Sequence, residues 1–243
     1  MSATMTGHNS FYRQNDSIMI TKFNTLVEAC YDLSVTEHDL IILAVNKMHK
    51  QLTGTKQVTI SDKEFALTNK VTDNYAYKTL KNTAKILGER KLKFPLYVDN
   101  NIQAKDTSQK LCVLKRNHKN FKVLKAEYNW LQEISYQDQE SYILLHFSNL
   151  LACLFEHTNQ AYTKYDYIKM VNFKGFSSKR MYELIHKWKD IEKTPEMTVF
   201  EWKAYFGRRS TSHFMLKIKV LKKAKQANDE TSVNQCTFLM TPA

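Results

Sequence analysis

Mixed α+β architecture in two basic halves is what the sequence predicts, on three observations. Amphipathic helical stretches opened by capping residues alternate with short apolar runs of strand character. An order of helix, short helix and basic helix occurs twice along the 243 residues, with no sequence repeat behind it. Glycine and proline are scarce, at 5 and 3, which suits an element-rich chain without a long flexible linker. Hydrophobic residues at 43% suffice for a real core and exclude a disordered chain.

In chain order, residues 1–17 read as a polar arm that lacks the apolar centre of a signal peptide. Ile20, Phe23, Leu26, Val27 and Tyr31 mark a short strand or helix. Thr36 opens a strong helix to about Gln51 that buries Leu40, Ile41, Leu43, Ala44 and Met48. Gln57 to Ile60 is a short strand, and Ser61 with Glu64 forms a capping box for the next helix. Thr72 or Asp73 caps a helix running to about Lys91. Lys91 to Val98 is an edge strand because it contains Pro95, and 99–110 is a polar loop. Leu111–Leu114, Phe121–Tyr136 and Tyr142–Phe147 supply further strand. Three helices followed by a hairpin make a winged helix over residues 18–150.

Residues 151–243 repeat the order. Helices are expected at Ser148–His157 and about Tyr165–Val171, and another to about Asp190 capped by Ser177 or Ser178. Thr198 with Glu201 is a second capping box, opening Val199–Phe206, and Gly207 ends that helix. A helix over Ser212–Asn228 completes the set, so the expected fold is two tandem winged-helix domains.

Two of these helices carry cations opposite an apolar arc. In the first, Ala76, Leu80, Thr83, Ala84 and Leu87 form the buried arc. Asn74, Lys78, Lys81, Asn82 and Lys85 share the opposite arc, about 100° wide, with Tyr75 and Tyr77 flanking it. Tyr77 is assigned to packing and Tyr75 to the binding face. In the second, Leu216, Val220, Leu221, Ala224 and Ala227 oppose Lys219, Lys222, Lys223 and Gln226, while Lys217 snorkels from the apolar side. No acidic residue lies between Glu201 and Asp229, where eight basic residues include Arg208 and Arg209 at the turn. Ser212 opens the helix beside them. One such helix is most simply a solvated face; two, far apart, point to nucleic acid, with Asn and Lys suited to base edges and phosphates.

Net charge is +12, distributed as +5 over residues 1–150 and +7 over 151–243, so the partner is a polyanion: DNA, RNA or, as the lesser alternative, an anionic membrane face. Four scattered cysteines without a Cys-x-x-Cys exclude a zinc ribbon and suit free thiols in a reducing cytoplasm. No apolar run approaches a membrane span. No phosphate-binding loop, Gly-x-Ser-x-Gly or His-Glu-x-x-His occurs. The eight histidines never sit two apart, so the metal pair of a nicking enzyme is missing, although tyrosines are plentiful. The expectation is therefore a binding protein with no catalytic residue, cofactor or metal.

Particular motifs add a resemblance. Asn24, Leu26, Ala29, Tyr31, Leu33 and Glu37, ahead of Leu40-Ile41-Ile42-Leu43-Ala44, resemble the opening of theta-type plasmid replication initiators. Trp130-Leu131-Gln132 through Tyr136 is similar to the strand after that family's first wing. Arg180-Met181-Tyr182-Glu183-Leu184-Ile185 resembles the Arg-Leu-Tyr-Glu-Leu-Leu helix that opens its second winged helix. Lys217 to Ala224 resembles its last recognition helix. The resemblance spans about residues 18–228. It implies a tandem winged-helix initiator that binds direct repeats (iterons) in a plasmid origin as a monomer. It also implies a homodimer in equilibrium with that monomer, formed through the first domain and repressing the initiator's own promoter. The implied partners are host replication initiator and helicase-loading proteins. Two features depart from the pattern. His38-Asp39 replaces a pair that is often Gln-Arg, and the short tail after residue 231 leaves the second wing truncated or missing. The rival readings are a rolling-circle nicking initiator and a winged-helix transcription regulator without origin function.

Overall fold

The computed structural model describes residues 19–50, 56–69, 71–99, 121–137, 140–149, 151–152, 162–191, 196–207, 222, 226 and 240–241. Strand β1 is Met19–Phe23, followed by the short helix α1, Asn24–Glu28, and by α2, Val35–Lys50. Strand β2, Gln57–Ser61, leads into α3, Asp62–Asn69, and a short turn into α4, Asp73–Glu89. The predicted capping box on α3 is present. Ser61 Oγ accepts from the Glu64 N–H at 3.3 Å, and Glu64 Oε2 accepts from the Ser61 N–H at 2.9 Å.

Two hairpins follow α4 rather than one. Among the described residues, strands β3, Lys91–Asp99, and β4, Phe121–Asn129, pair only with each other, which leaves Pro95 on a strand with an unpaired side there. Strands β5, Leu131–Tyr136, and β6, Tyr142–Phe147, join β2 in a three-stranded antiparallel sheet of order β2-β6-β5. Alternate residues of that sheet, Val58, Ile60, Ile143, Leu145 and Phe147, turn into one core with Leu40 to Val45 of α2 and Leu80, Ala84 and Leu87 of α4.

Beyond residue 150 the chain returns to this core. The expected helix at 165–171 begins later than predicted. Strand β7, Tyr162–Asp166, pairs antiparallel with β1, from Met19 opposite Asp166 to Phe23 opposite Tyr162, and α5 is only Tyr167–Asn172. Thr163 fills one inward position of β7, so the period-two burial does not show as an apolar alternation. Helix α6, Phe176–Trp188, starts at an N-cap of Gly175 instead of Ser177 or Ser178. Phe176 is buried against Tyr31 and His38, and that contact fixes the helix start ahead of the serines.

Helix α6 serves two cores. Tyr182 belongs to the first; Met181, Leu184 and Ile185 belong to a second with Val199, Trp202, Tyr205 and Phe206. The latter four come from α7, Val199–Tyr205, and its end, opened by the expected Thr198–Glu201 capping box. Gly207 then turns the chain at φ +64°, the left-handed value the sequence assigned to it. Strand β8, Met197–Thr198, pairs in parallel with β9, Met240–Thr241. The arm at 1–17, the strand at 111–114 and nearly all of the helix at 212–228 lie outside the described residues.

A buried charge cluster clamps α6 to the first three elements of the chain. Glu183 Oε1 accepts from Lys22 Nζ at 2.6 Å and from Tyr165 Oη at 3.0 Å, and lies 3.3 Å from His38 Nε2. Arg180 donates to Glu183 Oε2 and Tyr31 Oη, both at 2.6 Å, and to the carbonyls of Val27 and Ala29 at 2.9 and 2.8 Å. Lys179 Nζ pairs with Asp39 at 2.8 Å and donates to the Met170 carbonyl. The departure at His38-Asp39 is thus answered by charges on α6. Burial alone would raise the Glu183 carboxyl; the Lys22 ammonium, the His38 ring and the Arg180 guanidinium outweigh it and hold it well below the usual carboxylate range. Burial pulls the Lys22 ammonium down to about 8, against the attraction of Glu183.

Candidate nucleic-acid interface

Helices α3 and α4, joined by a short turn, stand as a helix-turn-helix. One tie fixes α3 on α2, and three orient α4. Lys47 of α2 donates to both carboxylate oxygens of Glu64 on α3, at 2.8 and 2.9 Å. Burial would raise that carboxyl, but the Lys47 and Ser61 hydrogen bonds hold it below its ordinary value. At the far end of α4, Arg90 Nε donates to buried Glu37 of α2 at 2.9 Å. Gly88 lets β5 approach closely, since a Cβ there would stand 3.2 Å from Ile134. Tyr77 Oη donates to the Gln137 carbonyl at 2.8 Å, the packing role assigned to it.

With its apolar arc sealed, α4 turns its opposite arc outward. Ala76, Leu80, Ala84 and Leu87 are at most 1% exposed, and Thr83 is also buried. Asn74, Tyr75, Lys78, Asn82 and Lys85 are exposed, Tyr75 at 65%. Lys81 is half-buried rather than fully exposed, because its ammonium stands 4.0 Å from the centre of the Tyr136 ring. Lys85 stands 5.2 Å from the same ring. The six α4 residues singled out from sequence therefore lie along one continuous outer strip. Of the second set, Lys222 is exposed. Arg208, Arg209, Ser212, Lys217, Lys219 and Lys223 lie outside the described residues. Sequence reading missed Tyr136 as a member of this surface; nothing in the local pattern of β5 places it against a helix more than fifty residues earlier.

An outer strip of amides and ammoniums on the second helix of a helix-turn-helix is suited to duplex DNA. Phosphate oxygens accept from the lysines, and base edges pair with the asparagines. Among the described residues no group of acidic, histidine or cysteine side chains converges as a metal site. No described helix is long and apolar enough to cross a membrane.

The family model described as Initiator Replication protein, WH1, matches residues 19–186, from β1 almost to the end of α6. The chain belongs to this family of replication initiators. The initiator's fold is similar to that in the crystal structure of the Pi initiator protein in complex with iteron DNA. That alignment covers 88% of this chain and 87% of the other, at TM-score 0.60 and 17% identity. The crystal structure of the MSBI1.176 WH1 domain, a replication protein isolated from a multiple sclerosis patient, aligns with 53% of the initiator and 82% of its own chain. Its TM-score is 0.36 and its identity 15%. No curated protein matches the initiator.

Proposed function

We propose that this initiator binds repeated duplex DNA in a plasmid origin, with α4 laid in the major groove. The observation that carries the reading is the two-sidedness of α4. Its apolar arc is sealed in the core, while Asn74, Lys78, Asn82 and Lys85 face outward. Family membership supports it, as does the similar fold of an initiator whose structure holds iteron DNA. Arg208, Arg209, Ser212, Lys217, Lys219, Lys222 and Lys223 supply a second contact from a second winged-helix unit within 151–243, so that two units grip one DNA. Host initiator and helicase-loading proteins are the partners, a dimer exchanges with the monomer, and the work is done in the cytoplasm.

Asn74→Ala and Asn82→Ala are each expected to cost about 1–3 kcal/mol on the origin repeat and little on a scrambled duplex, because base contacts discriminate. Lys222→Ala with Lys223→Ala should weaken binding to every duplex and flatten the slope of log affinity against log salt by about two. Titrations on both duplexes at several salt concentrations measure both effects. Equal losses on repeat and scrambled DNA from the asparagine variants would remove α4 from the major groove. Unchanged binding by the double-lysine variant would remove the second contact.

The chain acts by binding, without cutting. Supercoiled origin plasmid incubated with the protein and magnesium is expected to remain supercoiled on a gel. Nicking that disappears when a single tyrosine is replaced would overturn this.

A further inference from the structure

We infer that Tyr136 is a positioning residue for DNA binding: its ring holds the ammoniums of Lys81 and Lys85 at the seam between α4 and β5, where phosphates flanking the groove pass. The inference rests on α4 being the DNA-binding face. Lys81 and Lys85 are four residues apart on one helix, so their like charges repel. Tyr136 stands at the last residue of β5, 41% exposed, with both ammoniums over its ring at 4.0 and 5.2 Å. The negative face of an aromatic ring attracts cations without neutralising them, so this contact leaves the charge of both lysines in place. The ring is itself fixed. The hydrogen bond from Tyr77 Oη to the Gln137 carbonyl, at the next residue, pins the end of β5 to α4. Register with β6, Tyr136 opposite Ile143, sets it in the sheet. The two cations are thereby ordered before DNA arrives, which lowers the entropy lost on binding.

The experiment titrates the full chain with a random-sequence duplex, since phosphate contacts do not depend on sequence. Lys81→Ala with Lys85→Ala should weaken binding and flatten the salt slope by about two. Tyr136→Leu should weaken binding about three- to tenfold while keeping the salt slope, because the cations remain but lose the ring that attracts them both. Tyr136→Phe should bind like the parent, and Tyr136→Trp at least as tightly, Trp having the strongest cation-binding face. In the double-lysine background Tyr136→Leu should cost nothing further.

Parent-like binding by Tyr136→Leu overturns the inference and leaves α4 as the DNA face. An equal loss from Tyr136→Leu with and without the lysines overturns it differently, since the ring would then touch DNA itself. Full affinity in the double-lysine variant overturns both the inference and the part of the DNA face on which it rests. Where Tyr136→Leu fails to fold, the order Trp, then Tyr and Phe, decides: a Phe variant that binds markedly worse shows that the hydroxyl, not the ring face, is used.

Discussion

Glu183→Gln is expected to destabilise the fold by about 3–5 kcal/mol, the usual cost of removing one partner from a buried ion pair. Glutamine keeps the shape and an acceptor but loses the charge. Three cations, Lys22, Lys179 and Arg180, share the cluster with two carboxylates, Asp39 and Glu183, and all five are buried. Asp39 faces Lys179, so Lys22 and Arg180 would lose the carboxylate that pairs with both. Lys22→Met removes a cation from a surplus and should cost far less. Urea unfolding followed by far-ultraviolet circular dichroism measures both. The same carboxyl sets an acid limb. Its pKa in the folded state lies well below the unfolded value of 4.5, so its contribution is fully present above that value. It is lost as pH falls below 4.5 toward the folded value, and Glu183→Gln should lose less stability than the parent across that window. A variant with the parent's midpoint and the parent's acid limb would mean that the cluster contributes nothing to holding α6 in place.

Gly207→Ala is expected to cost about 2–4 kcal/mol, from two separate causes. Its φ of +64° is disfavoured for any residue with a Cβ. That Cβ would also lie 2.5 Å from Asp32 Cβ and 2.8 Å from Asp32 Cα, inside the backbone that links α1 to α2. Adding Asp32→Gly should recover part of the steric loss and none of the backbone strain, so a double-mutant cycle in thermal melts separates the two. Equal melting temperatures for Gly207→Ala and the parent would show that the contact with Asp32 yields freely.

Much of this was legible in the sequence wherever one local signal decided the outcome. The buried and outward arcs of α4 follow from helical period alone, and all five residues assigned inward, from Ala76 to Leu87, are buried. Both capping boxes and the turn at Gly207 were equally local. What was not legible depended on partners distant in sequence. Lys179, Arg180 and Glu183 look like the polar face of α6, yet each is fully buried, because their counter-charges and hydroxyls come from β1, α2 and the segment that carries Tyr31. Strand β7 escaped for the same reason, since its pairing partner is the first strand of the chain. Tyr136 gave no sign of its lysines, which lie on another element.

The clamp between the chain's first strand and α6 also sets a timetable. Tyr31 and Arg180 are 149 residues apart, and among the described residues the strand that pairs with β1 is β7. At ribosomal speeds of 5–20 residues per second, about 7–30 s separate the emergence of the two halves of that joint. Through that interval Ile20 and Phe23 have the residues of α1 and α2 to pack on, while the hydrogen-bonding edge of β1 waits for a strand still being synthesised. The joint on the chain's oldest strand is therefore a late one, and helpers that shield nascent chains have a long claim on the edge translated first.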